Sequence, residues 1–282
     1  MSAMPVVDAH QHVGDLGHSL SFDGHELPAE ATVEADASAR VAFMDAVGID
    51  WAVLQPSHGY LRTDGIEATR RLNDRMASFA EVAPDRFRIL GTTEPLHGEA
   101  GVAEVDRAPE IGLQGFAWHH RFQGCYLDSR WMWPTLERMS TLGLVALVHV
   151  NAESSLEAHW RLQRLALDFP QVGFLAMDGL WTYERARHIL MTASLTPNVV
   201  WDLGGPVSYV SVNEWVERNG SENACFSVGF YTGSNPVMPP LYAQIQAAPI
   251  SDTDKANILG ANVARLFGRT ETAQRYERYR RP

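Results

Sequence analysis

Short β-rich runs alternate with longer segments of helical periodicity along almost all of the 282-residue chain. The predicted strands span 6–9, 51–55, 87–92, 113–118, 145–150, 173–177, 199–203 and 224–228. The helices predicted between them include 36–47, 66–82, 129–142, 156–167, 183–193 and 211–218. Early units lie roughly 30 residues apart, which is the length that one strand–helix–strand crossover needs. This alternation favours a parallel sheet flanked by helices.

Eight strand–helix units is the number in a (β/α)8 TIM barrel, and we therefore predict that α/β fold. The length would allow two domains, but no linker, low-complexity stretch or charge block divides the chain, and barrels of about 250 residues normally form one domain. We predict one barrel domain over 1–282, with 268–282 as a C-terminal tail. The polar, Gly-containing stretch 16–31 is predicted to be a long loop over the barrel mouth.

Two histidines and an acid lie within five residues of the first predicted strand, in Asp8-Ala9-His10-Gln11-His12. Strand side chains alternate with period two, so Asp8, His10 and His12 are expected to point the same way. Two imidazoles held two residues apart form half of a metal-binding site. The alternative is that they are partnered polar residues in a crowded interior. The strand ends near Gly14, and this end of a parallel strand is where catalytic groups lie in such folds.

The fifth predicted strand is apolar except for His149, near its C-terminal end. A single histidine in such a run is usually a core residue. However, the ends of strands 1 and 5 face each other across a barrel mouth. Three imidazoles there would leave one coordination position open, as catalytic zinc sites do.

Composition excludes several function classes. The net charge is −11 with Lys255 as the only lysine, which disfavours nucleic acid and anionic membranes as partners. No apolar run is long enough to span a membrane and no signal-peptide pattern is present, so we expect a cytoplasmic protein. Cys125 and Cys225 are predicted to be reduced and structural. We expect a small-molecule substrate and a homodimer, although no particular interface can be identified from the sequence.

Several further motifs occur in a characteristic order along the chain. They are Leu72-Asn73-Asp74, Pro84-Asp85-Arg86-Phe87, Gly112-Leu113-Gln114-Gly115-Phe116, Pro197-Asn198-Val199-Val200-Trp201-Asp202 and 258–268 (ILGANVARLFG). With the strand-1 motif and His149, they make the chain resemble the amidohydrolase superfamily. It resembles specifically the amidohydrolase-related (amidohydrolase 2) family, which contains aminocarboxymuconate-semialdehyde decarboxylase-like enzymes and sugar or pyrone lactonases.

The resemblance implies a divalent metal held by His10, His12, His149 and a strand-8 aspartate, with a strand-6 histidine helping to activate water. This sequence departs from that pattern twice. Strand 6 ends in Asp178 where the family usually has the histidine. An ungapped match places Gly229 at the strand-8 aspartate, and a gapped match places Asn235 there.

These departures affect the predicted chemistry. Three neutral imidazoles can still hold Zn²⁺, which is the expected cofactor. Asp178 is the candidate replacement base, acting with His149 in catalysis; the alternative is a polar turn residue before Gly179. Asp202, at the end of strand 7, is a second carboxylate candidate for substrate binding.

Five side chains besides Asp202 are predicted substrate contacts. His119 and His120 follow strand 4, and because neighbouring strand residues face opposite sides, one of them should point inward. His58 follows strand 2, while Phe230 and Tyr231 follow strand 8, where they would suit a ring-bearing or planar substrate. The alternatives are solvated loop residues for the histidines and packing for the aromatic rings.

The sequence has no dinucleotide-binding glycine motif, P-loop or serine-hydrolase elbow. The resemblance favours hydrolysis of a small organic C–O or C–N bond, a lactone being the first choice, by a metal-dependent or, alternatively, a metal-independent enzyme. One alternative is non-oxidative decarboxylation of a small carboxylic acid. Another is a catalytically silent barrel that binds a ligand, a hypothesis motivated by the altered strands 6 and 8.

Overall fold

The structure is a computed structural model that describes residues 5–15, 30–57, 64–151, 153–205, 208–233 and 238–268. Nine parallel strands form one sheet in the order β8-β7-β6-β5-β4-β3-β2-β1-β9. The strands are β1 Val7–Asp15, β2 Trp51–Gln55, β3 Phe87–Gly91, β4 Gly115–Trp118, β5 Val145–His149, β6 Phe174–Met177, β7 Val199–Asp202, β8 Ala224–Cys225 and β9 Phe230–Thr232. Each of the eight predicted strands is therefore present in the structure, and β9 is an additional strand.

The sheet closes through the segment that joins β8 to β9. The backbone N–H of Ala9 in β1 donates to the carbonyl of Phe226, and the N–H of Gly229 donates to the carbonyl of His10, both at 3.1 Å. Strands β8 and β9 thus share the last position of the barrel. The observed β8 is shorter than the predicted strand 224–228, because from Phe226 onward the backbone bonds to β1 and to Ile258. The predicted TIM barrel is confirmed.

Helices alternate with the strands, as the sequence predicts. They are α1 Glu30–Val47, α2 Ile66–Val82, α3 Glu99–Arg107, α4 His120–Gln123, α5 Met132–Leu142, α6 His159–Asp168, α7 Tyr183–Thr192, α8 Val212–Asn219, α9 Pro240–Ala247, α10 Asp252–Ala256 and α11 Asn262–Phe267, with a π-helical turn over Asn257–Ala261. Six of them match predicted helices to within a few residues, except that α1 begins earlier. Residues 16–29 of the predicted loop and 269–282 of the predicted tail lie outside the described residues.

Two apolar layers enclose the strands. The larger packs the helices against the outside of the sheet and includes Phe79, Trp118 and Trp215. The smaller fills the barrel with alternate strand residues such as Val53, Leu147 and Leu175. No helix within the described ranges is both long and apolar enough to cross a membrane.

Candidate active site

Three imidazoles meet at the C-terminal end of the barrel. The Nε2 atoms of His10 and His12 on β1 are 3.0 Å apart, and Nε2 of His149, the last residue of β5, is 3.3 Å from Nε2 of His10. All three residues are buried, and burial lowers the pKa of His10 to about 4, so its ring is in the neutral, ligating form. Ligands roughly 2.0–2.1 Å from a tetrahedral zinc lie about 3.3 Å from one another. The cluster fits a divalent cation.

Hydrogen bonds fix the orientation of two of these rings. Nδ1 of His12 donates to the carbonyl of Pro56 and Nδ1 of His149 donates to the carbonyl of Trp118, both at 2.9 Å. With the proton on Nδ1, each ring directs the lone pair of Nε2 into the cluster. The ring of Tyr231 stacks on His12, with centroids 5.3 Å apart and planes 8° apart. The cluster is therefore held before any ligand arrives.

Asp8 does not join this cluster. Its carboxylate accepts hydrogen bonds from the backbone N–H of His10 and Val228 and from the side-chain amide of Gln11. Pairing of β1 with β2 is irregular between Asp8 and Gln11, and Val7 and Ala9 pack inside the barrel. The expectation that Asp8 points the same way as the histidines is corrected, because this irregularity breaks the alternation. Burial raises the pKa of Asp8 to about 7.

A fourth imidazole lies against the cluster. His119, directly after β4, stacks on His149 with centroids 4.0 Å apart and planes 2° apart. Its Nδ1 is joined by a short hydrogen bond to Oε1 of Glu157, which also accepts the backbone N–H of Arg121 at 3.0 Å. Glu157 is fully buried, and burial raises its pKa to about 8. The carboxylate behind Nδ1 leaves Nε2 on the opposite edge of the ring, and His119 lines the cavity.

Asp178 lies beside these rings, directly after β6. One of its carboxylate oxygens and ring nitrogens of His119 and His149 are all within 4.8 Å of one another. No hydrogen bond from the described residues reaches the carboxylate, and burial raises its pKa to about 7, with the charge of Asp202 adding to the effect. The backbone is left-handed, with a φ of 66°. Both predicted features are thus present: the conformation of a turn residue and a carboxylate at the cluster.

Asp202 differs from Asp178 in having partners. It accepts hydrogen bonds from the hydroxyl of Ser227 at 2.8 Å and from the N–H of Gly204 at 2.7 Å. Burial raises its pKa to about 6. A carboxylate engaged in this way is a weaker base candidate than Asp178, although it faces the same cavity.

The barrel mouth contains a cavity of about 1000 Å³. Its polar side is lined by His10, His12, His119, Asp178, Asp202 and Tyr231, and its apolar side by Trp181, Leu203, Val210, Val212 and Leu241. Such a cavity accommodates a small organic molecule.

A family model described as Amidohydrolase matches residues 7–269 of the chain. The chain belongs to the amidohydrolase family. The resemblance that the sequence motifs indicate is therefore confirmed. Comparison with curated proteins finds no significant match.

Solved structures with the same fold include three decarboxylases. 5-Carboxyvanillate decarboxylase from Sphingomonas paucimobilis has a TM-score of 0.70 at 21% identity, over 94% of this chain and 99% of that one. The 5-carboxyvanillate decarboxylase from Novosphingobium aromaticivorans, complexed with manganese and 4-hydroxy-3-methoxy-5-nitrobenzoic acid, has a TM-score of 0.66 at 17% identity, over 94% and 96%. A 2,6-dihydroxybenzoate decarboxylase from Rhizobium reaches 0.65 at 17% identity, over 95% and 99%. At these identities the likeness establishes the fold.

The amidohydrolase pattern is altered at two strand ends. Asp178 follows β6, as the sequence match predicts. After β8, Gly229 lines the cavity and donates its N–H to His10, and residues 224–233 include no carboxylate. Asn235, the gapped candidate, lies outside the described residues. The described part of the barrel therefore offers the cluster no fourth ligand from β8 or β9.

Two predicted substrate contacts are directed away from the cavity. Phe230 packs on Phe43 of α1, with ring centroids 4.0 Å apart. His120 is fully buried outside the barrel beside Trp118, and burial lowers its pKa to about 3. Both expectations are corrected, because strand alternation that directs Tyr231 and His119 inward directs their neighbours outward. His58 lies outside the described residues.

Sequence reasoning missed two residues near the cluster, Glu157 and Arg121. Glu157 lies in the connection after β5, with no regular pattern around it that would show which strand end it approaches. Arg121 directly follows the two histidines after β4, so its place in the chain was a usable signal.

Proposed function

We propose that this amidohydrolase is a metal-dependent hydrolase of a small organic ester, with a lactone as the first choice of substrate. The observation that supports it is the buried Asp178 carboxylate, which has no hydrogen bond from the described residues and lies beside the His10, His12 and His149 cluster. Hydrolysis needs this pair of features: a site that polarises a carbonyl and a base within reach of the attacking water.

The cluster residues would hold the metal. Neutral imidazoles suit zinc, whereas manganese prefers oxygen ligands, so zinc is the proposed ion even though related folds have been solved with manganese. A divalent cation there would polarise a substrate carbonyl oxygen and lower the pKa of water. With three neutral ligands, no ligand charge would offset the charge of the cation.

Asp178 would perform the proton transfers, and His119 would hydrogen-bond the substrate. Asp178 would accept a proton from water while the water oxygen bonds to the carbonyl carbon of the lactone. Asp178 would then donate that proton to the ring oxygen of the lactone as the C–O bond breaks. His119, whose ring is oriented by Glu157, is placed to hydrogen-bond the substrate or its departing oxygen. The products are a carboxylic acid and an alcohol on one chain.

A second candidate is decarboxylation. It is favoured by the pKa of about 7 at Asp178, since a carboxyl that is partly protonated near neutral pH can also donate a proton. In that reaction the C–C bond breaks, CO₂ leaves, and the Asp178 proton is transferred to the carbon. The three decarboxylases of similar fold act on ring-bearing acids, as their names state.

One experiment separates these functions. Zinc-loaded and manganese-loaded protein would be given a panel of lactones, followed by acid release, and a panel of hydroxybenzoates, followed by CO₂ release, with His149→Ala as the metal-site control. Hydrolysis of a lactone that needs both metal and His149 is the expected result. CO₂ release alone would support the second candidate. No turnover of either panel would leave the ligand-binding barrel as the better description.

A further inference from the structure

Arg121 places a positive charge in the wall of the cavity. It is the second residue of α4, directly beyond β4, and is the only lysine or arginine among the described residues that line the cavity. Its side chain is 31% exposed. The chain has a net charge of −11, and the described cavity wall also contains Asp178 and Asp202.

The hydrogen-bond donors of this guanidinium are not used by those acids. The guanidinium forms an ion pair with Glu157, but Oε2 is 4.0 Å from Nε, beyond hydrogen-bond distance, and Nε has no hydrogen-bond partner among the described residues. Oε1 of Glu157 is already engaged by His119 and by the backbone N–H of Arg121. No ion pair joins Arg121 to Asp178 or Asp202 in the described part of the chain, although its charge lowers the pKa of Asp178 somewhat.

The guanidinium is nevertheless held in place. Its Cζ lies 4.8 Å from the ring centroid of Phe122, an arrangement in which a cation is attracted to the ring face. Its backbone is fixed by the N–H bond to Glu157. A positioned guanidinium with unused donors matches a planar carboxylate, which accepts two parallel hydrogen bonds.

We infer that Arg121 binds a carboxylate group of the ligand, so that the cavity takes an organic acid with an apolar or ring-shaped body. The carboxylate would lie at Arg121, and the apolar body against Trp181, Val210 and Leu241. This inference rests on the proposed function in placing the ligand within the same cavity, and it narrows the substrate to a lactone or ester that also bears a carboxylate. In zinc-free protein, Arg121 would offset the repulsion of such an anion by the net negative charge of the chain.

The test compares benzoate with benzamide, which has nearly the same shape and no charge. Binding to zinc-loaded protein would be measured by calorimetry for the wild type, Arg121→Gln and Arg121→Lys, with surface Arg138→Gln as the matched control because Arg138 pairs with Asp106 away from the cavity. Benzoate is expected to bind the wild type at least about tenfold more tightly than benzamide. Arg121→Gln should weaken benzoate binding about 10- to 100-fold and leave benzamide unchanged, and Arg121→Lys should give an intermediate loss.

The same titrations on zinc-free protein separate Arg121 from the metal. A benzoate preference that survives chelation and disappears in Arg121→Gln supports the inference, whatever reaction the protein catalyses. Equal benzoate affinity in the wild type and Arg121→Gln would overturn it, as would the absence of any preference for benzoate over benzamide in the wild type. Absence of lactone turnover would count only against the proposed function, since these measurements need no reaction.

Discussion

Asp178 combines a left-handed backbone with a carboxylate that accepts no hydrogen bond from the described residues, and substitutions can separate these properties. Asparagine tolerates a φ of 66° and keeps the shape of the side chain, whereas alanine there costs about 1–2 kcal/mol. Asp178→Asn should therefore fold as well as the wild type and lower kcat for an identified substrate about a hundredfold, with little change in KM. Thermal unfolding and steady-state kinetics measure the two effects. Near-normal turnover in the asparagine variant would reassign the base to Asp202 or a histidine.

Glu157 is hydrogen-bonded to His119 and would affect catalysis through that ring, so it is a positioning residue. Glu157→Gln removes the carboxyl group behind Nδ1 while keeping the volume, and the amide can present its N–H to Nδ1 and reverse the tautomer of the ring. We expect kcat to fall at least about tenfold with KM nearly unchanged, because the substrate does not contact Glu157.

The matched control is Glu153→Gln, an exposed glutamate in the same connection after β5. It should leave both kinetic constants unchanged. A purely structural role for Glu157 would instead lower the melting temperature and leave the kcat of the folded fraction intact, and that result would contradict the assignment.

At the scale of elements, the segment between β8 and β9 is one of the two places where the chain departs from the pattern that the resemblance implies. Gly229 has a φ of 68° and nothing within 4 Å of the position of an added Cβ. Aspartate and asparagine tolerate this conformation better than other side chains, so both can be introduced there. Gly229→Asp should tighten zinc binding by adding a charged ligand near His10, and Gly229→Asn controls for the backbone strain. Equal zinc affinity of the two variants, measured by competition with a chelator, would show that position 229 does not replace the missing ligand.

An element could be predicted from the sequence when its own residues were enough to identify it. Strands such as Trp51–Gln55 were visible because parallel, buried strands are continuous apolar runs. The three-residue strand Phe230–Thr232 could not be predicted, because it is defined by its pairing with β1 and no turn motif separates it from β8. The His10, His12 and His149 cluster followed from barrel geometry, since strand ends converge. The contact of Glu157 with His119 is long-range and comes from an irregular connection, so neither helical nor strand periodicity in the sequence predicts it.

At the scale of the whole molecule, the barrel mouth concentrates buried groups that prefer to be uncharged. Burial raises the pKa of Asp178 to about 7 and that of Glu157 to about 8, and lowers that of His10 to about 4. Relative to the unfolded chain, the carboxyl groups hold protons at higher pH, whereas the histidine stays neutral at lower pH. The two kinds of group therefore have opposite effects on stability between about pH 4 and 6.5.

Above about pH 6.5, His10 is neutral in both the folded and the unfolded chain, so of these groups only the carboxyl groups make the free energy of unfolding depend on pH. The unfolded chain has already released these protons while the folded barrel retains them, so the free energy of unfolding of metal-free protein should fall as pH rises from 6.5 to 8.5. Saturating Zn²⁺ should raise stability in proportion to the logarithm of its concentration and reduce the fall, because a nearby cation favours the ionised carboxylates. Denaturant titrations at several pH values, with and without Zn²⁺, measure both effects, and His149→Ala should lose the zinc effect alone. Asp178→Asn should show a shallower fall than the wild type in metal-free buffer. A stability that does not fall over this pH range would mean that these carboxyl groups are ionised in the folded barrel, and that the mouth is more polar than its burial indicates.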